Sequence, residues 1–140
     1  MNWDHYFLTI AKTVAAKSKD TTKVGCVIVG EDKQILSTGW NGLARGVEEL
    51  PERLERPAKY QWTTHSESNA IANAARSGVR LKGATLYCTH HPCASCAGLM
   101  IQAGIQCVFF DGGGVLVGNH DTEIARQQFA EAQVKVYMIP

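Results

Sequence analysis

A hairpin followed by alternating helix-period and strand-period segments predicts an α/β protein: a three-layer α/β/α sandwich around a mixed five-stranded sheet. Val24–Val29 and Gln34–Trp40 read as two strands, and the turn-like Gly30-Glu31-Asp32-Lys33 between them makes the pair a hairpin. Three more short apolar runs, 84–88, 105–110 and 134–139, alternate with helical segments, which places helices on both faces of one sheet. No repeat, low-complexity tract or linker interrupts the 140 residues, so residues 1–140 read as a single domain.

Each element has a local cause. Asn2 can cap a first helix whose apolar positions Trp3, Tyr6, Phe7, Ile10 and Val14 recur at three- and four-residue steps. Residues 42–63 hold Gly42, Gly46, Pro51 and Pro57 amid charges and read as a long loop; a loop of that length is usually functional or tied down. A helix runs from Ser66 to Ser77 and stops at Gly78; another runs from Ala94 to Ala103 and stops at Gly104. Thr122–Ala132 is the last helix and Val134–Ile139 the last strand.

Composition narrows the function. Apolar residues make up 45% and charged residues 19%, as in a soluble globular protein, and no apolar run approaches the ~20 residues that cross a bilayer. Met1-Asn2-Trp3-Asp4-His5 carries an acid where a signal peptide carries basic residues. Five cysteines, an odd number without an export signal, argue against a disulfide framework and for a reducing, cytoplasmic setting. The net charge of +1 with scattered Lys and Arg gives no basic stripe, which favours a small substrate over nucleic acid.

The chemistry is concentrated in His65-Ser66-Glu67 and Pro92-Cys93-Ala94-Ser95-Cys96. One imidazole and two thiols fill three corners of a zinc tetrahedron and leave the fourth for water, the mark of a catalytic site. Cys93 and Cys96 are three apart at a helix start and share a face. Unpaired N–H groups and the helix dipole there favour thiolates. His65 holds the corresponding position before the other helix, so two helix N-termini would clamp one ion. Two rival readings remain open. Thr64-His65-Ser66-Glu67 also fits a capping box that would make Glu67 a helix cap. Cys88, Cys93, Cys96 and Cys107 could form a closed structural site, although Cys88, Cys107 and Cys26 sit in apolar strands where cysteine is usually core. His90 and His91 read as pocket residues; His5 and His120 read as incidental.

The H-x-E and P-C-x-x-C pair is the signature of zinc-dependent nucleobase deaminases. With it, the chain resembles the cytidine deaminase-like superfamily, and most of all its deoxycytidylate (dCMP) deaminases. The resemblance rests also on Ser18-Lys19-Asp20, Gly39-Trp40-Asn41-Gly42, Glu67-Ser68-Asn69-Ala70-Ile71 and Ile101-Gln102-Ala103-Gly104-Ile105. It implies the cytidine deaminase-like fold, one Zn²⁺ per chain on His65, Cys93 and Cys96, and Glu67 as the proton shuttle. It implies Asn41 at the sugar or base, and Ser18, Lys19 and Asn69 near a 5′-phosphate. Ser66 stands where relatives usually have alanine, and His91 where they often have an aromatic, which places both beside the substrate. The implied reaction is hydrolysis of dCMP to dUMP and ammonia. Another nucleoside, base or base analogue, a base in RNA or single-stranded DNA, and a zinc-stabilised scaffold without activity are the alternatives. The family also implies a homo-oligomer, a hexamer before a dimer or tetramer, with Gln127, Phe129 and the 94–103 helix as candidate surfaces.

Overall fold

The computed structural model describes residues 1–113 and 120–140; the side chain of His120 lies outside what is described. Helix α1 (Trp3–Ala15) starts where Asn2 accepts a hydrogen bond from the His5 N–H at 2.9 Å. The hairpin strands are β1 (Gly25–Val29) and β2 (Ile35–Trp40), followed by β3 (Gly42–Leu43). After a 3₁₀ turn at Pro51–Leu54 come the one-turn helix α2 (Lys59–Trp62) and β4 (Thr63–Thr64). The remaining elements are α3 (Ser66–Ser77), β5 (Thr85–Cys88), α4 (Ala94–Ala103), β6 (Cys107–Asp111), α5 (His120–Glu131) and β7 (Lys135–Ile139).

The main sheet has five strands in the order β2-β1-β5-β6-β7. β1 is antiparallel to both neighbours, while β5, β6 and β7 run parallel. Alternation of side chains along the strands splits the core into two layers. Phe7, Leu8 and Ala11 of α1 cover Val27, Val29 and Tyr87 on one face. On the other, Ala70 and Ala74 of α3, Ala97 and Met100 of α4, and Ala125 and Phe129 of α5 cover Cys26, Ile28, Leu86, Cys88 and Val108. Among the described residues the sandwich is therefore lopsided, with α1 on one face of the sheet and α3, α4 and α5 on the other.

Two glycine effects fix where the helices sit. Gly78 and Gly104 end α3 and α4 with positive φ, 69° and 95°, and the following Val79 and Ile105 amides donate back to Ala74 and Met100 carbonyls. Ile105 thus belongs to the cap, and β6 begins two residues later than its apolar run suggests. At Gly39 on β2, a Cβ would come within 2.4 Å of the Ser66 carbonyl oxygen and the Ala70 nitrogen. Only glycine lets the first turns of α3 lie directly on β2.

The segment 42–63 is not the structureless loop its composition predicts. β3 and β4 pair antiparallel, Gly42 with Thr64 and Leu43 with Thr63, and close its two ends. The pairing is two residues per strand, too short to leave a periodic signal in the sequence. Among the described residues no helix is long and apolar enough to cross a membrane.

Candidate metal centre and active-site cavity

The N-termini of α3 and α4 meet. His65 is the residue before the first turn of α3, and Cys93 holds the same position on α4, with Cys96 three residues on. The Sγ atoms of Cys93 and Cys96 lie 3.4 and 3.5 Å from His65 Nδ1. One ligand atom from each of the three residues fits within a 4.8 Å spread. A tetrahedral zinc bound about 2.3 Å from sulfur and about 2.0 Å from nitrogen sets S···N edges of about 3.5 Å. The triangle matches those edges, and its donors are the nitrogen and thiolates zinc prefers, so the residues fit the ion.

The protonation pattern prepares the same chemistry. A hydrogen bond from the Cys96 thiol, and then the His65 ring, pull the Cys93 thiol down to about 4. The same hydrogen bond, together with burial, pushes the Cys96 thiol up. The His65 ring is raised, chiefly by its hydrogen bond with Cys93 and against its own burial. Without metal the pair holds one thiolate and one thiol. At the start of α4, the Ala94 N–H donates to Asp121 Oδ2 at 2.9 Å, so α5 braces the metal helix.

The two rival readings fail on geometry. A capping box needs Thr64 as the capping residue, but the capping position falls one residue later, at His65, and no side chain caps the helix. Glu67 is left free for other work. The four-cysteine site fails because Thr85 pairs with Cys107 while Cys88 pairs with Phe110. Cys88 and Cys107 therefore sit three strand positions apart, about 10 Å. Among the described residues the group that could hold a metal is His65, Cys93 and Cys96. All five cysteines are free, and Cys26 and Cys88 are fully buried in the core.

Glu67, 4% exposed, lines a cavity of about 230 Å³ that also contains His65 and Cys93. Ser66, fully buried, donates its hydroxyl to Glu67 Oε1 at 2.5 Å and lies 3.7 Å from Cys88 Sγ. His91, 4% exposed, stands edge-on to Phe110 with ring centroids 4.7 Å apart. Its Nδ1–H donates to the Pro92 carbonyl at 2.8 Å, which leaves Nε2 as an acceptor. The Nε2 atoms of His90 and His91 are buried without a partner among the described residues. Burial pulls both imidazoles down and keeps them neutral.

The other sequence candidates divide. Asn41 lines the cavity, but its amide also bridges the chain: Nδ2 donates to the Thr22 carbonyl at 2.8 Å and Oδ1 accepts from the Val24 N–H at 2.9 Å. Ser18 is buried beneath it and donates to the Asn41 carbonyl at 2.8 Å. Lys19 is exposed, pairs with Glu49, and faces a separate groove. Asn69 donates to the Trp40 and Thr64 carbonyls at 2.7 and 3.2 Å and lines another depression.

Among the cavity residues that escaped the sequence reading as functional positions are Asp20, Arg56, Lys59 and Tyr60. Lys59 Nζ lies 2.9 Å from Asp20 Oδ1, with the side chains 8% and 3% exposed, a buried ion pair in the cavity wall. Burial opposes ionisation of Asp20, but the Thr22 N–H and the Lys59 ammonium outweigh it and hold the carboxyl below its ordinary value. The available signal was the aromatic run Tyr60-Gln61-Trp62 after Pro57, which marks an ordered piece within 42–63.

Residues 1–111 match the family described as the cytidine and deoxycytidylate deaminase zinc-binding region. Over 117 residues the chain is 37% identical to the deoxycytidylate deaminase of Homo sapiens, covering 79% of this chain and 65% of that one. Over 147 aligned positions it is 35% identical to an uncharacterized deaminase from the luxG 3′ region of Aliivibrio fischeri, covering 99% and 94%. In structure it is similar to the dCMP deaminase from cyanophage S-TIM5 in complex with dCMP and dUMP, with a TM-score of 0.78, 26% identity and coverage of 96% and 95%.

Proposed function

This chain belongs to the cytidine and deoxycytidylate deaminase zinc-binding family, and from that premise we propose that residues 1–140 act as one zinc-dependent domain hydrolysing dCMP to dUMP and ammonia. The observation that carries the proposal is a buried carboxylate, Glu67, in the same cavity as His65 and Cys93 of the His65–Cys93–Cys96 triangle. The similarity to the human deoxycytidylate deaminase and to the cyanophage dCMP deaminase supports dCMP as the substrate.

Zinc, when bound, supplies a water acidic enough to serve as a nucleophile near neutral pH. The proton traffic falls to Glu67. It accepts a proton from the attacking water and delivers one to ring N3, which makes C4 a better electrophile. It then takes the remaining proton of the hydroxyl added at C4 and passes it to the amine, so that the C4–N bond breaks, the C4 carbonyl forms and ammonia leaves. Such positioned proton transfer contributes about 10²–10⁴-fold. Ser66 holds one oxygen of Glu67 and so orients the other. The unpartnered Nε2 atoms of His90 and His91 suit the polar edge of a heteroaromatic base. Asn41 is our assignment at the sugar, since it lines the cavity and its bonds to the chain fix its amide.

The assembly is a homo-oligomer, with a hexamer preferred. Phe129 drops out of its candidate surface because it is buried in the core, whereas Leu99 on α4 and Ile124 on α5 are exposed. Five free cysteines are in keeping with a cytoplasmic site of action. The test is ammonia release from dCMP, CMP, deoxycytidine, cytosine, guanine and adenosine-containing RNA by zinc-loaded protein. dCMP is expected to react fastest. Silence on all six with zinc bound would replace the enzyme reading with a scaffold.

A further inference from the structure

We propose that Arg56 and Tyr60 form the phosphate-reading element of the cavity and set the preference for a nucleotide over a nucleoside, an inference that rests on dCMP as the substrate. A phosphomonoester is met best by a forked cation and neighbouring hydrogen-bond donors. The sequence candidates for that task are spent elsewhere. Lys19 is paired with Glu49 outside the cavity, and Ser18 and Asn69 donate to backbone carbonyls.

The cavity itself offers two cations of fixed charge, Arg56 and Lys59. The Lys59 charge is consumed by buried Asp20 at 2.9 Å. Arg56 is exposed and, among the described residues, has no carboxylate partner; its Nε donates to the Tyr60 hydroxyl at 2.7 Å. That bond has two consequences. It fixes the guanidinium while leaving both terminal nitrogens as donors, and it makes the Tyr60 oxygen an acceptor, freeing the phenolic O–H to donate outward. The result is a preorganised cluster of donors with a net positive charge. Tyr60 is 64% exposed and Glu67 4%, so the cluster lies at the rim while the acid lies at the floor. A nucleotide seated with its base toward Glu67 extends its 5′ end toward solvent, where the rim stands. The cavity of about 230 Å³ is smaller than the usual ~300–1,000 Å³ ligand pocket, which suits one pyrimidine nucleoside inside and its charged end at the mouth.

The experiment measures kcat/KM for dCMP and deoxycytidine, and calorimetric binding of dUMP and deoxyuridine, in wild type, Arg56→Ala, Arg56→Lys and Tyr60→Phe. The Arg56→Ala change is expected to cut the dCMP-to-deoxycytidine preference by about tenfold or more, mainly through KM, and to weaken dUMP binding similarly. Arg56→Lys should fall between, because an ammonium keeps the charge without the fork. Tyr60→Phe should lose about three- to tenfold. If dCMP is turned over but Arg56→Ala leaves the preference and dUMP binding untouched, the inference falls and the substrate assignment stands. If dCMP is not turned over yet dUMP binding depends on Arg56, the substrate assignment falls and takes the turnover preference with it, while the phosphate contact at Arg56 stands. If wild type turns over dCMP but does not bind dUMP more tightly than deoxyuridine, the inference falls.

Discussion

Replacing Lys59 by methionine leaves the Asp20 carboxylate buried without its counter-charge, and the cost follows from the geometry. The pair is 2.9 Å apart with side chains 8% and 3% exposed. Removing one partner of such a pair typically costs about 3–5 kcal/mol. Asp20 keeps the Thr22 N–H at 2.9 Å, which places the expected loss near the lower end, about 3 kcal/mol. In a domain of this size that lowers Tm by roughly 10 °C. The double variant Asp20→Asn/Lys59→Met buries no net charge and should recover most of the loss, to within about 1.5 kcal/mol of wild type. The pH dependence has a definite sign. The folded-state carboxyl of Asp20 is held below its ordinary value, so in wild type the pair contributes fully above about pH 4 and less as pH falls through the lower folded value. In Lys59→Met the unpaired carboxyl is instead disfavoured by burial and gains by protonation, so its deficit narrows from pH 7 to pH 4.5. Urea unfolding of wild type, Lys59→Met, Asp20→Asn and the double variant at both pH values, at fixed protein and zinc concentration, measures this. A single-variant cost below about 1 kcal/mol, or a double variant as unstable as the sum of the singles, refutes the reasoning.

The remaining expectations concern the site. Glu67→Ala should keep stoichiometric zinc and cooperative unfolding but lose about 10²-fold or more in ammonia release; several per cent of residual activity would remove the proton-shuttle role. Cys93→Ala should lose the metal itself, as read by metal analysis of the purified protein, since its Sγ lies 3.4 Å from His65 Nδ1 in the ligand triangle. Ser66→Ala removes the 2.5 Å hydrogen bond to Glu67 and should lower kcat roughly five- to thirtyfold with little change in KM. An unaltered kcat would show that Glu67 is oriented without the hydroxyl. Zinc uptake at pH 7 should release at least one proton, because Cys93 is held at about 4 while the Cys96 thiol is pushed up. Affinity should therefore rise with pH, and calorimetry in buffers of different ionisation enthalpy counts the protons.

Local patterns in the sequence determined much of this protein. The Asn2 cap, the stops at Gly78 and Gly104 and the hairpin turn at 30–33 are decided within a few residues of chain, where backbone sterics and hydrogen bonding act without help. The group that could hold a metal was equally legible, because three-residue spacing at a helix start places Cys93 and Cys96 on one face whatever surrounds them. Tertiary structure alone decided that Glu67 is a cavity acid and not a cap, since that turned on whether Thr64 or His65 holds the capping position of α3. It decided too that 42–63 is closed by a two-residue ladder, and that Lys59 meets Asp20 across 39 residues while Lys19, one residue away, faces outward to Glu49. Contacts of that kind leave no period in the chain. They depend on which segments the sheet and helices bring together, and on the low-dielectric wall that makes one of two lysines a buried partner and the other a surface charge.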